Sequence, residues 1–206
     1  MKRIFVFVIG LITMCFMSSV ALGQSLSKSD KKAVKALAKE YAADGFKSTS
    51  MAYTMEEKIA EYRSKLKANP DLVEIVEDGK GASSFSAEMA AQNAAAIKYA
   101  TCAGSIIKGG MERAFGNMGE EYDKIHGNYV QNVAEFIMPL LKKYMLFSKR
   151  EGGSYIVRVG YLLEENSAKK AREKAFDATI ENLANGHVFG EKVRKYVDEM
   201  VNPSQQ

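Results

Sequence analysis

The chain has 206 residues, 47% of them hydrophobic and 26% charged, and its 29 basic side chains face 25 acidic ones. So small a basic excess gives no footing for a nucleic-acid partner, which selects a dense positive face. Two cysteines, Cys15 and Cys102, exclude a disulfide framework and any CxxC metal motif.

The N-terminus sets the expected compartment. Lys2 and Arg3 precede an apolar run from Ile4 to about Met17, followed by Ser18, Ser19 and the small-residue pattern Ala21-Leu22-Gly23. That is the layout of a secretory signal peptide, with an apolar run too short for a stable membrane span. The expected organisation is a signal peptide over residues 1–23, a single α+β domain over 24–201 and a flexible tail over 202–206. The processed chain is then periplasmic or secreted, and the loss of Lys2 and Arg3 halves its basic excess to two. Cys15 follows Met14 inside the apolar run, unlike a lipoprotein acceptor cysteine, which follows a small residue. With Cys15 removed, Cys102 has no internal disulfide partner.

In chain order, Ser27 to Ala43 reads as a basic amphipathic helix capped by Ser29 or Asp30, with Val34, Leu37, Ala38 and Tyr41 on one face and Gly45 as its stop. Residues 46–53 (FKSTSMAY) read as a short strand. Thr54 with Glu57 forms a capping box for a second helix, whose buried stripe is Met55, Ile59, Tyr62 and Leu66 and whose end is Asn69-Pro70. Residues 72–77 (LVEIVE) read as a strand that can run on through DGKGASS. Ser86 opens an alanine-rich helix. Met89, Ala96, Ala100, Ala103 and Ile107 share one of its faces, and Ala90, Ala94, Ile97 and Thr101 form a second stripe. Small side chains let another backbone approach closely, so this helix is expected to lie flat on a sheet with a second helix beside it. Gly109-Gly110 should weaken it, and Gly116, Asn117 and Gly119 should interrupt it. A further helix follows over 120–136, through Tyr122, Ile125, Tyr129, Val133 and Phe136, with Pro139 limiting its end.

Two β-rich runs, 143–150 and 154–163, flank Gly152-Gly153 and predict a hairpin. In the second run Tyr155, Val157, Val159, Tyr161 and Leu163 share a face, with Arg158 and Gly160 on the other. That pattern predicts a sheet covered on one face by the alanine helix, with Arg158 turned to solvent or to a carboxylate. Ser167 is expected to cap a helix over 168–184, stopped by Asn185-Gly186, and a last helix is expected over 188–201. The fold class expected is α+β: a small, mainly antiparallel sheet of about four strands under an alanine-rich helix and further helices.

No catalytic, cofactor-binding or metal-binding residue is assigned from this sequence. DGKGASS lacks the third glycine of a dinucleotide loop and the Gly-Lys-Ser/Thr ending of a triphosphate loop, so it reads as a tight turn before a helix. Glu120, Glu121, Asp123 and His126 have metal-binding residue types, but their spacing fits an acidic helix start better. Cys102 as a nucleophile needs a base, and only His126 and His187 are available; a buried, inert thiol is the expected state, with a disulfide between chains as the alternative. Lys169, Lys170, Arg172 and Lys174, like Lys28, Lys31, Lys32, Lys35 and Lys39, read as solvated helix faces that can at most touch an anionic membrane surface weakly.

The order of VEDGKGASS, AEMAAQNAAAIKYATCAGSII, YVQNVAEFI and YIVRVGYLL, over about residues 76–176, resembles a family of small outer-membrane lipoproteins whose fold recurs in flagellar outer-ring proteins. The resemblance implies an envelope location, an α+β fold and no established catalysis, and no functional residue is carried over from it. Here the chain departs from the family, since no cysteine follows a small residue near its N-terminus. The expected function is that of a non-enzymatic envelope protein, a partner-binding or structural accessory module acting through its sheet edge or a helical face. Its expected partner is an envelope protein or outer-membrane component, with no nucleic acid, no cofactor and no membrane span in the processed chain. A secreted enzyme with a site assembled from dispersed residues, and a lipid-binding envelope protein, are the alternatives.

Overall fold

The computed structural model describes residues 26–115 and 120–181, without the side chains of 106–107, 109–115 and 120–122. In chain order these residues form α1 (Lys28–Ala43), β1 (Lys47–Ser48), α2 (Met55–Ala68), β2 (Leu72–Gly81), α3 (Ser84–Phe115), α4 (Glu120–Ile137), a 3-10 turn (Met138–Leu140), β3 (Lys142–Glu151), β4 (Ser154–Glu164) and α5 (Glu165–Glu181). The sheet is antiparallel throughout, in the order β1-β3-β4-β2. The α+β class and the hairpin are as the sequence predicts. Gly152 (φ +57°) and Gly153 (φ +81°) take the left-handed conformation that a tight two-residue hairpin turn demands.

Strand alternation builds two cores. Val157, Val159, Tyr161 and Leu163 of β4 turn to one face with Ile75 of β2, beneath α3, α4 and α5. Leu162 turns to the other with Met145 and Phe147 of β3, beneath Val34 and Tyr41 of α1 and Ile59 and Tyr62 of α2. The sheet is therefore covered on both faces, where its alternation predicted one. The stripes of α1 and α2 are legible in the sequence, but nothing local says where they dock. Arg158 emerges into this second layer, not into open solvent. Its guanidinium donates to both carboxylate oxygens of Asp78, at 2.7 and 2.8 Å, and lies 4.6 and 4.5 Å from the ring centroids of Tyr41 and Phe46. Gly160 of β4 leaves room for Tyr62, whose hydroxyl donates to Tyr161 O at 3.1 Å.

On the first face α3 comes closer than ordinary side chains permit. A Cβ placed on Gly79 would stand 2.0 Å from Ala87 O and 2.4 Å from Ala91 N. Strand glycines thus meet helix alanines, and Ala87, Ala91 and Ala95 are fully buried there. Residues 78–81 belong to β2, so the strand runs on into DGKGASS as one reading of it has it; the tight-turn reading is corrected, because its glycines serve helix-to-strand contact. Ser83 and Ser86 then exchange main-chain-to-hydroxyl hydrogen bonds, at 3.0 and 3.1 Å, across the start of α3.

Other boundaries differ for local reasons. Ser27, not Ser29 or Asp30, caps α1, accepting from Asp30 N–H at 3.1 Å while Asp30 accepts from Ser27 N–H at 2.9 Å. Thr54 and Glu57 form the expected box on α2. The strand predicted over 46–53 shrinks to Lys47–Ser48, because Ser48 Oγ donates to the carbonyls of Ser50 and Tyr53 and folds the segment into a loop. Helix α3 starts at Ser84 and continues through Gly109-Gly110 to Phe115. Helix α5 follows β4 directly, so Ser167 lies inside it. The interruption at 116–119, the helix end at 184–186, the last helix, the signal peptide and the tail lie outside the described residues.

Candidate binding groove

Small residues that pull α3 against the sheet also decide what it leaves uncovered. Ala96, Ala100 and Ala103 are buried on its flank towards α4. The two helices meet at Gly104, where an added Cβ would stand 2.4 Å from Val130 Cγ2, and Gln92 Nε2 of α3 donates to Met138 O, in the 3-10 turn after α4, at 3.0 Å. Over the outer side of this contact runs an open groove of about 670 Å³. Met89, Asn93 and Ile97 form one wall; Val130, Ala134 and Met138 form much of the other, and among the described residues Glu135 is the one ionisable side chain lining it. Met89 is 43% exposed and Ile97 48%, and Phe85, one turn before Met89, is 75% exposed. Met89 was expected in the buried stripe; it shares the α4-facing arc with Ala96 and Ala100, but lies about one turn before Gln92, where α4 has already given way to the Met138–Leu140 turn.

An apolar row at helical spacing beside an apolar groove accepts apolar side chains or an acyl chain. The sequence showed part of it, since Ile97 belongs to the second apolar stripe with Ala90, Ala94 and Thr101. It did not show that α4 would stop short of covering Met89 and Ile97, because that depends on where the two helices cross.

The other residues singled out from sequence are scattered. Cys102 is exposed, which corrects the buried reading. Between Ala87 and Cys102, α3 rises about 22 Å, about the length of β2 from Gly79 back to Leu72, so the sulfur stands where the strand runs out beneath the helix. The His126 ring packs at Gly104 and its Nε2 is buried without a hydrogen-bond partner among the described residues. Two residues separate Cys102 from Gly104, about 200° around the helix, so thiol and imidazole lie on different flanks. Asp123 is exposed, 3.7 Å from Lys108 Nζ, and the side chains of Glu120 and Glu121 lie outside the described residues, as does His187. Among the described residues no three His, Cys, Asp or Glu side chains gather as a metal site.

Arg172 corrects the reading of the basic run as wholly solvated. It turns inwards from α5, donating to Glu165 Oε1 at 2.6 Å and to the Tyr99 hydroxyl. Lys170 and Lys174 remain exposed, as do Lys28, Lys31, Lys32, Lys35 and Lys39.

Titration follows this architecture. Burial pushes the Tyr99 and Tyr161 phenols up to about 12, and those of Tyr62 and Tyr129 higher still. The displaced carboxylates all move down: Asp30 to about 2 through its hydrogen bond with Lys67, Glu57 through the Thr54 backbone, and Glu164 through Lys142. These are capping and ion-pairing effects at the surface. No described helix is long and apolar enough to cross a membrane. No protein-family model matches the chain, and neither the curated proteins nor the solved structures yield a match.

Proposed function

We propose that the chain is a non-enzymatic cell-envelope protein, exported by its N-terminal leader, that docks a protein partner in the groove between α3 and α4. The observation that carries this reading is the exposure of Met89 and Ile97 along an apolar groove. Leaving large apolar side chains in water costs stability, and a partner that covers them recovers it. The outer-membrane lipoprotein resemblance over 76–176 supports the envelope location.

The test is affinity capture of the tagged chain from cross-linked envelopes, with mass spectrometry. The reading predicts enrichment of a defined envelope protein over an empty-tag control, lost when Met89→Glu and Ala134→Glu charge the two walls. Enrichment unchanged by both substitutions would place the partner elsewhere; no enrichment would remove the reading.

The groove's apolar lining also favours a second reading, a lipid-binding envelope protein. Native mass spectrometry of the chain taken from cells distinguishes them: a co-purifying lipid, released by Met89→Glu, favours this one.

A further inference from the structure

Strand β2 has one bonded side. It pairs with β4 from Leu72 opposite Glu164 to Gly81 opposite Tyr155 without a register shift, and it is the last strand of the sheet among the described residues. Glu165 N–H donates to Asp71 O at 2.8 Å, continuing that register by one pair and setting the phase of the ladder. Val73, Ile75, Glu77, Gly79 and Gly81 therefore turn their main-chain groups to β4. Leu72, Glu74, Val76, Asp78 and Lys80 turn theirs outwards.

Edge strands are ordinarily blunted by proline, a bulge, shortness or unbalanced charge. β2 is ten residues long, regular and free of proline. Its acids are each held by a cation of the same chain: Glu74 by Arg63 at 3.1 Å, Glu77 by Lys98, and Asp78 by Arg158 at 2.7 Å. Lys80 is exposed.

We propose that the β2 edge is the docking surface for a second copy of this chain, with two β2 strands pairing antiparallel about a two-fold axis at Glu77. Charge selects that register. It sets Glu74 opposite the partner's Lys80 twice and Glu77, which Lys98 already holds, opposite its own copy once, whereas an axis at Val76 sets Glu74 opposite Asp78 twice and brings no opposite charges together. The layer above accommodates the pairing. Tyr99 and Glu88 on one flank of α3 reach Arg172 and Lys143, towards the sheet interior. The opposite flank, with Ala90, Ala94 and Thr101, overlooks the edge. Because α3 rests chiefly on β2 and only partly on β4, two copies of it stand less than two strand spacings, about 10 Å, apart, the close range that small-faced helices reach.

The test is sedimentation equilibrium of the full chain, purified as the expressing cell processes it. A dimer is expected at micromolar concentration. Val76→Pro removes an outward N–H and no bond to β4, and it should give monomer. Lys80→Glu, at an exposed position that leaves folding intact, should raise the dissociation constant at least tenfold, because it sets a carboxylate against the partner's Glu74 at both ends of the pairing. Amide exchange at Val76 and Asp78 should be slow in the dimer and fast in Lys80→Glu. A wild-type monomer at 100 µM, a dimer indifferent to Lys80→Glu, or an edge that protects only on adding a foreign extended peptide would each overturn the proposal. The groove variants Met89→Glu and Ala134→Glu should leave the dimer intact, so this test and that of partner capture fail separately.

Discussion

The two faces of one sheet are packed by opposite means. Beneath α3 the contact is made of Gly79, Ala87 and Ala91, where backbone nearly touches backbone. Beneath α1 and α2 it is made of Phe147, Tyr62, Ile59 and Tyr41, with Tyr41 and Phe147 edge-on at 5.9 Å and Arg158 laid across Tyr41 and Phe46. Where α3 crosses β2 the first face gains stability from closeness and has no volume to spare, while Val157, Val159 and Leu163 elsewhere on it gain theirs from burial. The second gains it from buried area and loses it when a side chain is cut back. Enlarging substitutions should injure the α3–β2 crossing, and truncating ones the α1/α2 face.

The largest expected effect is on the second face. Phe147 is fully buried, and Phe147→Ala should cost about 3–5 kcal/mol in chemical denaturation. On the first face Ala91→Leu should cost about 1–3 kcal/mol by forcing α3 off β2, although leucine is more hydrophobic. A stable Ala91→Leu would erase the contrast. Next comes Arg158→Ala, which leaves Asp78 without its bidentate donor and uncovers two rings. It should cost about 1–2 kcal/mol, with Arg158→Lys recovering only part, because an ammonium cannot make the paired contact. Cys102→Ser should change stability by less than about 0.5 kcal/mol, and Cys102 should react with a water-soluble thiol reagent at the rate of an exposed thiol.

Alkali sharpens the comparison from another side. Folded Tyr99 and Tyr161 hold their protons up to about pH 12, against a reference of 10. The folded state thus binds protons more tightly than the unfolded one. The stability this provides is complete below pH 10 and is lost as pH rises from 10 through 12. Absorbance at 295 nm should show exposed tyrosines ionising first and the buried ones only as the helical signal collapses. Smooth ionisation of every tyrosine near pH 10 in a folded chain would contradict the burial of both cores.

What the sequence disclosed follows from the range of each signal. The Thr54–Glu57 cap, the Gly152-Gly153 turn and the alternation of β4 are local chemistry, and all three were legible. The alanine helix announced a close approach, and the glycines of DGKG were visible, but the two were read apart because the contact joins Gly79 to Ala87 and Ala91 only after the chain turns back. The second cover of the sheet was missed for a related reason. Gly160 reads as a weak strand residue until Tyr62, 98 positions earlier, is found against it. The groove escaped because a helical stripe records which residues are apolar and not how far a neighbour covers them. Cys102 escaped because the sheet's cover of α3 ends with the strand beneath it, while Ala103 and Gly104 stay buried on the flank towards α4.

The most direct measurement of this account is the stability of Gly79→Ala beside Gly127→Ala. Gly127 lies in α4, where an added Cβ meets nothing within 4 Å, and alanine there should stabilise by about 0.5–1 kcal/mol. At Gly79 the same methyl group meets backbone at 2.0 Å and should destabilise by at least about 2 kcal/mol. Opposite signs are the predicted result; a Gly79→Ala chain as stable as the wild type, or more so, would contradict it.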